Sequence, residues 1–125
     1  MSEEMYFTRE HEWVRIEDDE AIIGISDYAQ KEMGDVTFIE LPEIGMEVSQ
    51  SDELGVIESV KAASDIFAPI GGTVTAVNTE LLESPHLINT DPYGQGWICK
   101  LGDMDLSGLT LLMSDESYEE YTSQE

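Results

Sequence analysis

The sequence predicts a mostly β fold, a small barrel or sandwich of antiparallel strands with short helices added. Many short β-type runs follow one another, each ended by a turn signal, which is typical of that class. Hydrophobic residues make up 41% of the chain and aromatic residues 8%, as in ordinary globular proteins. A length of 125 residues suits one domain and is too short for two ordinary ones. We therefore expect residues 1–125 to form a single domain.

A β-hairpin followed by a short helix is predicted near the N-terminus. The runs EWVRIE and EAIIGIS are β-type and are joined by an acidic turn at residues 17–20. The segment DYAQKEM then has Ser26 or Asp27 as its N-cap and Gly34 as its C-terminal stop. One or two helical turns fit between these caps.

The middle of the chain predicts further strands. DVTFIEL alternates, which places Val36 and Phe38 on one face and Thr37 and Ile39 on the other. LGVIESV, SDIFAPI and GGTVTAVN follow it and are separated by turn formers.

The last part of the chain predicts a loop, a strand and helices. NTDPYGQG is rich in turn formers, and WICKL follows as a strand that places Trp97, Cys99 and Leu101 on one face. We expect Cys99 to be a packed core thiol and not a nucleophile. Residues 103–125 carry apolar side chains at helical spacing, so we expect one or two C-terminal helices packed against the strands of the same domain.

The chain is strongly acidic. Twenty-eight Asp and Glu residues against five Lys and Arg residues give a formal net charge of −23. Such a field repels nucleic acid and anionic membrane surfaces, so neither is predicted as a partner. The acidity fits solubility or a high-salt proteome, and it equally fits docking to basic partners.

The location is predicted from the character of individual segments. The N-terminal residues MSEEMYFTRE have neither an apolar secretory core nor the Arg-rich character of a transit peptide. No later run is long enough to span a bilayer, and the lone Cys99 fits a reducing compartment. We therefore expect a cytoplasmic protein.

The sequence offers no self-contained catalytic or metal site. It contains no phosphate-binding glycine loop, no Ser/His/Asp arrangement and no regular metal-ligand spacing. His11 and His86 are far apart in the chain, and acids are so numerous that pairs of them carry almost no information. We predict neither catalytic residues nor a bound metal.

Lys61 is one of three lysines and lies in a predicted turn. Strand-like segments precede and follow it, which leaves residues 60–63 as the turn. A lysine at a hairpin tip projects its long stem away from the sheet, and the small Ala62 and Ala63 leave room for a modifying enzyme. Spacing alone leaves two interpretations open, a plain surface lysine and a modification site.

Five motifs resemble, in order and spacing, those of H proteins of the glycine cleavage system. They are TREHEWV, GISDYAQ, MGDVTFIELPEIG, VIESVKAASDIFAPIGGTVTAVN and LINTDPYGQGWICKL. The resemblance covers roughly residues 6 to 102, and the C-terminal part is similar mainly in its helical character. It implies a barrel-sandwich hybrid of two small antiparallel sheets, with Lys61 at the tip of a hairpin.

The resemblance further implies that Lys61 carries lipoate in amide linkage. Biotinyl domains also modify a hairpin lysine, but theirs usually stands between methionines, whereas Lys61 lies between Val60 and Ala62. Lipoyl domains of 2-oxo acid dehydrogenase acyltransferases share the lysine hairpin and a later glycine, which Gly72 matches. The segments EHEWV and DPYGQGW separate this chain from both of those classes.

The function implied by the resemblance is that of a carrier and not of an enzyme. In the implied cycle the P protein, a glycine decarboxylase, passes the aminomethyl group of glycine to the lipoyl arm. The T protein, an aminomethyltransferase, removes the one-carbon unit, and the L protein, a dihydrolipoyl dehydrogenase, reoxidises the arm. The alternative is a lipoate relay that passes its lipoyl group to other lipoyl-dependent enzymes. We expect a monomer, because the carrier must visit several partners.

The resemblance also implies roles for three acids. The resemblance implies that the lipoyl arm, when it carries the aminomethyl group, is held in a cleft. Glu12 and Asp65 are the candidates to bind the cationic amine of that group by charge-assisted hydrogen bonds. Glu58, three residues before Lys61, is a candidate recognition point for the lipoylating enzyme. For each of the three acids, the alternative is a solvated surface side chain.

Overall fold

The computed structural model describes residues 5–123 and is mostly β. Its strands are β1 (Met5–Phe7), β2 (Glu12–Glu17), β3 (Glu20–Ile25), β4 (Val36–Glu40), β5 (Glu47–Val48), β6 (Glu53–Ser59), β7 (Ala63–Phe67), β8 (Gly72–Val77), β9 (Cys99–Gly102) and β10 (Met113–Ser114). Its α-helices are α1 (Asp27–Met33), α2 (Glu80–Glu83), α3 (Leu87–Thr90) and α4 (Asp115–Ser123), and a 3₁₀ helix spans Leu106–Leu111. Residues 1–4, which begin the segment expected to lack a secretory core, and residues 124–125 lie outside the described residues.

Over residues 5–123 the strands form two antiparallel sheets. The larger sheet has the order β10-β1-β2-β3-β9-β8-β5, and the smaller has the order β4-β6-β7. Apolar side chains of both sheets share a core, to which the larger sheet contributes Val14 and Ile23 and the smaller Ile39, Ile57 and Ile66. Burial of this apolar surface is the main force that holds the sheets together. The predicted class, mostly β with two antiparallel sheets and short helices, is confirmed.

The predicted hairpin of β2 and β3 and the helix α1 are confirmed. Glu17 pairs with Glu20 at the end of the hairpin. Ser26 is the N-cap of α1, because its side chain accepts a hydrogen bond from the backbone N–H of Ala29 at 3.1 Å. Asp27, the other candidate cap, instead forms an ion pair with Lys31 at 3.1 Å.

The alternation predicted for β4 is wrong, because the strand contains a bulge. Val36 pairs with Ser59, but Phe38 pairs with Glu58, so one extra residue of β4 faces β6 between them. The bulge shifts the alternation of side chains by one position. As a result Val36 and Ile39 are buried, while the side chain of Phe38 is 48% exposed.

The strand predicted from WICKL is shorter than expected. It begins at Cys99, so Trp97 does not share its face; the Trp97 ring instead lies 5.2 Å from the amino group of Lys100. Cys99 is confirmed as a core thiol, since it is fully buried, and desolvation raises the pKa of its thiol to about 12. A thiol with so high a pKa stays protonated and unreactive at neutral pH.

The C-terminal helix α4 packs on the larger sheet through Tyr118. Its ring stacks on Phe7 with ring centroids 4.2 Å apart, in a cluster that also contains Trp13. Its hydroxyl forms hydrogen bonds with Ser26 Oγ at 2.6 Å and with His11 Nδ1 at 2.7 Å. The helix predicted near the C-terminus is therefore connected to the N-cap of α1 and to the start of β2.

Removal of this hydroxyl in Tyr118→Phe is expected to lower the free energy of unfolding by about 1–3 kcal/mol, because buried hydrogen bonds are lost while the ring stack is kept. Urea titration followed by tryptophan fluorescence measures the change. A loss below about 0.5 kcal/mol, the range of an ordinary surface substitution, would contradict this account of the C-terminal anchor.

Candidate functional site

Lys61 lies at the exposed tip of the hairpin formed by β6 and β7. The hydroxyl of Ser59 accepts hydrogen bonds from the backbone N–H groups of Lys61 at 3.2 Å and Ala62 at 3.1 Å. The N–H of Ser59 donates to the carbonyl of Ala62 at 2.8 Å. The turn is therefore fixed by its own polar groups, and the lysine side chain is presented to solvent at the predicted place.

The stem of Lys61 lies over the end of α1. A Cβ atom added at Gly34 would lie only 3.0 Å from Cε of Lys61, and Gly34 has a φ of +79°, which favours glycine. The N–H of Val60 donates to the carbonyl of Asp35 at 3.0 Å, which ties the same segment to the hairpin. The lysine stem thus passes over Gly34, which directly follows the last residue of α1 in the sequence.

A cleft of about 140 Å³ lies between α1, the start of β2 and the strand β7. We call it the acidic cleft. Its acidic lining residues are Glu10, Glu12, Glu32 and Asp65, and its apolar lining residues are Ile25, Ala29, Met33, Ile57 and Ile66. The structure brings together Glu12 and Asp65, the two acids predicted to share a cleft, and adds Glu10 and Glu32 beside them. An apolar wall with acids around it suits a chain of methylene groups that ends in a cation.

Glu12 is the buried acid of this cleft, with only 2% of its surface exposed. One carboxylate oxygen accepts from the Thr8 hydroxyl at 2.6 Å, and the other accepts from the backbone N–H of Phe67 at 3.1 Å. Burial nevertheless raises the pKa of Glu12 above its ordinary value, since desolvation outweighs these hydrogen bonds. A carboxylate that has lost its water gains more from an approaching cation than an exposed acid does.

A tight turn places Glu12 at the cleft. The Thr8 hydroxyl accepts from the backbone N–H groups of Glu10 at 3.2 Å and Glu12 at 3.1 Å. His11 occupies the left-handed region with a φ of 74° inside this turn. A second cavity of about 220 Å³ also includes Glu10 and Glu12 in its lining, so Glu12 lies where two depressions meet.

The other two predicted acids differ in position. Asp65 is exposed on β7 and lines the acidic cleft. Glu58 is exposed on β6, opposite Ala63, and does not line that cleft. Glu58 is thus placed near the hairpin tip but away from the cleft, and the functions of all three acids stay predictions.

Two sequence motifs anchor α1, which forms one wall of the cleft. The ring N–H of Trp13 donates to the carbonyl of Ile25 at 2.9 Å and to that of Pro92 at 3.1 Å. The hydroxyl of Tyr93 accepts from the backbone N–H of Asp27 at 2.9 Å. The segments EHEWV and DPYGQGW therefore contact each other and hold the N-terminal end of α1.

Across residues 5–123, no three His, Cys, Asp or Glu side chains are arranged to hold a metal ion. The helices of this part of the chain are also too short or too polar to cross a membrane.

Comparison with known proteins identifies the family. A family model described as "Glycine cleavage H-protein" matches residues 5–125. The chain belongs to the glycine cleavage H-protein family. The H protein of Carboxydothermus hydrogenoformans is 49% identical over 122 residues, which are 98% of this chain and 94% of that protein. The H protein of Legionella pneumophila (strain Corby) is 50% identical over 122 residues, 98% of each chain.

The H-protein family is also supported by a solved structure. The crystal structure of a glycine cleavage system H protein from Mycobacterium marinum aligns with a TM-score of 0.83 at 34% identity, covering 96% of this chain and 94% of the other. The resemblance drawn from the sequence motifs is thereby confirmed for the family and for the fold.

Proposed function

We propose that this chain is the lipoyl-carrying shuttle protein of a glycine cleavage system. The observation that carries the proposal is the placement of Lys61: its stem lies against Gly34 beside an acid-lined cleft, in a chain of the H-protein family. The chain accepts the aminomethyl group of glycine from the P protein and presents it to the T protein. The L protein then reoxidises the arm.

The cofactor in this proposal is lipoate joined by an amide bond to Nζ of Lys61. When attached, it supplies a disulfide that accepts the aminomethyl group, with reduction of the disulfide as glycine loses carbon dioxide. The residues present fit such a group, because the exposed lysine stem lies against Gly34, and Met33, the residue before Gly34, forms part of the apolar lining of the cleft together with Ile66. Amide formation also removes the positive charge of Lys61. The lipoyl arm is therefore neutral, and the amine of the attached aminomethyl group is its one positive charge.

The acidic cleft holds the cargo in this proposal. Glu12 and Asp65 bind the cationic amine, and Glu10 and Glu32 add negative potential at the same place. Because the amine lies against the buried carboxylate of Glu12 and against apolar side chains, water has less access to it. The chain thus binds and protects the cargo, while the catalytic steps belong to its partners.

The remaining features of the proposal concern the whole chain. The chain acts as a single domain, and the described part of its C-terminal segment, residues 103–123, contains the 3₁₀ helix, β10 and α4. Residues 1–4 and 124–125 of the predicted domain lie outside the described residues. The protein works as a monomer in the cytoplasm. The lipoylating enzyme recognises the fixed turn of the hairpin, with Glu58 as a contact beside Lys61.

Isotope exchange tests this function. The lipoylated chain is incubated with P protein, glycine and labelled bicarbonate, and label entering the carboxyl group of glycine is measured. We expect exchange that depends on the lipoyl group and is absent with the unmodified chain. Absence of exchange, together with transfer of the lipoyl group to an acceptor domain, would instead identify a lipoate relay and overturn the proposal.

The charge gives a further prediction about partner docking. With a net charge of −23, association with basic patches on the P, T or L protein is expected to slow steeply as salt rises from about 0.05 M to 0.5 M, because the steering field is screened. Stopped-flow association measures this dependence. Association that tolerates salt, with melting temperatures that rise in salt, would show that the acids are a high-salt adaptation.

A further inference from the structure

Asn89 of α3 joins two segments close to the Lys61 hairpin. Its side-chain oxygen accepts a hydrogen bond from the backbone N–H of Val36 at 2.8 Å. Its side-chain nitrogen donates to Gln30 Oε1 at 2.9 Å and to the carbonyl of Gly34 at 2.9 Å. One amide therefore connects the end of α1 to the start of β4.

The segment that Asn89 holds is the one that contacts the hairpin tip. The carbonyl of Asp35 accepts from the N–H of Val60 at 3.0 Å. A Cβ at Gly34 would lie 3.0 Å from Cε of Lys61 and 3.7 Å from Cγ2 of Val60. Residues 34–36 thus contact the hairpin on one side and Asn89 on the other.

We propose that Asn89 is a positioning residue for Lys61, which fixes residues 34–36 and thereby sets the direction in which the lysine leaves the hairpin. The side chain must supply one acceptor and two donors, which asparagine does and which aspartate or an apolar residue does not. A lysine held in one direction loses less conformational freedom when a modifying enzyme engages it. The inference rests on the proposed function only for the identity of the attached group.

The chain offers a matched control in Asn78. This buried asparagine also donates two hydrogen bonds from its side-chain nitrogen, here to the carbonyls of Gln95 and Trp97 at 2.8 Å each. These partners lie in the loop before β9 and not at the hairpin. Asn78→Ala therefore has a comparable local cost without touching the support of Lys61.

The experiment compares the wild type with Asn89→Ala, Gly34→Ala and Asn78→Ala, each as the full chain. A lipoate–protein ligase with lipoate and ATP provides the rate of modification at Lys61, and amide hydrogen exchange provides the protection of residues 59–62. Melting temperatures are recorded alongside. Gly34→Ala leaves the Asn89 side chain in place and changes the segment that Asn89 holds. If Asn89→Ala folds poorly, this variant still tests whether residues 34–36 support the hairpin tip.

We expect Asn89→Ala and Gly34→Ala to lower kcat/KM for lipoylation about ten-fold, through kcat more than KM, and to speed exchange at the Val60 amide. Asn78→Ala should lower the melting temperature with both readouts unchanged. If Asn89→Ala is lipoylated as fast as the wild type and its hairpin amides are equally protected from exchange, Asn89 has only a structural role and the inference is overturned. If the wild type itself is not lipoylated, the proposed function fails. Amide hydrogen exchange at residues 59–62 still decides, in that case, whether Asn89 positions the hairpin.

Discussion

Replacement of Lys61 by arginine is expected to abolish lipoylation and glycine cleavage while leaving the fold intact. The guanidinium group stays protonated at neutral pH and does not form the amide that the carrier requires. The side chain is exposed at the hairpin tip, so the substitution should change the melting temperature by no more than an ordinary surface replacement does. Intact-mass analysis after expression with lipoate, followed by the bicarbonate exchange assay, measures both effects.

Lys100→Arg is the matched control for this experiment. Lys100 lies on β9 with its amino group 5.2 Å from the Trp97 ring, and arginine keeps that contact. This variant should carry one lipoyl group and support exchange at the wild-type rate. A lipoyl adduct on Lys61→Arg, or exchange above the background of unmodified protein, would refute the assignment of Lys61.

Glu12→Gln is expected to lose the cargo quickly. The neutral amide keeps the shape of the side chain but gives up a charge-assisted contact with the cationic amine, worth about 1.5–3 kcal/mol. Release of ammonia and formaldehyde from the loaded protein, without T protein, should therefore accelerate roughly 10–100-fold. Glu40→Gln makes the same change of charge on an exposed residue of β4 and should leave release unchanged. Equal release rates for Glu12→Gln and the wild type would exclude Glu12 from the protection of the cargo.

The same substitution is expected to gain stability relative to the wild type as the pH rises. Burial raises the pKa of Glu12 above its ordinary value of 4.5, so the folded state holds the proton more tightly than the unfolded state. The favourable contribution of the protonated group is complete below pH 4.5 and is lost as pH rises through the raised pKa. Glutamine is neutral throughout, so the stability of the variant relative to the wild type should increase across this window and stay constant below it. Melting curves of both proteins across a pH series measure the difference, and a difference that does not change with pH would contradict this origin.

Much of the fold could be predicted because its signals are local. The hairpin of β2 and β3 shows alternation and a polar turn, and α1 has its cap at Ser26 and its stop at Gly34. The strands β1, β5 and β10 have two or three residues each, too few for a pattern, and form only through pairing with distant partners. The bulge of β4 likewise depends on its register with β6 and not on its own sequence.

The site could be predicted only in part, because only some of its residues carry a local signal in the sequence. Lys61 could be found because a rare residue type lies between two strand patterns. Glu12 could not be singled out as the buried acid among the 28 in the sequence. Its burial depends on the Thr8 turn and on the N–H of Phe67, which is far along the chain. The contacts of Asn89 were also missed; its place two residues before the DPYG turn was the available signal.

A single turnover followed by peptide mass mapping tests the carrier function most directly. The lipoylated chain is mixed with P protein and glycine, quenched, digested and mapped. We expect the peptide containing Lys61 to carry the lipoyl mass before the reaction and to gain the aminomethyl mass during it. A lipoyl group found on another residue, or a Lys61 peptide that stays unloaded in the presence of active P protein, would exclude Lys61 as the site that carries the cargo.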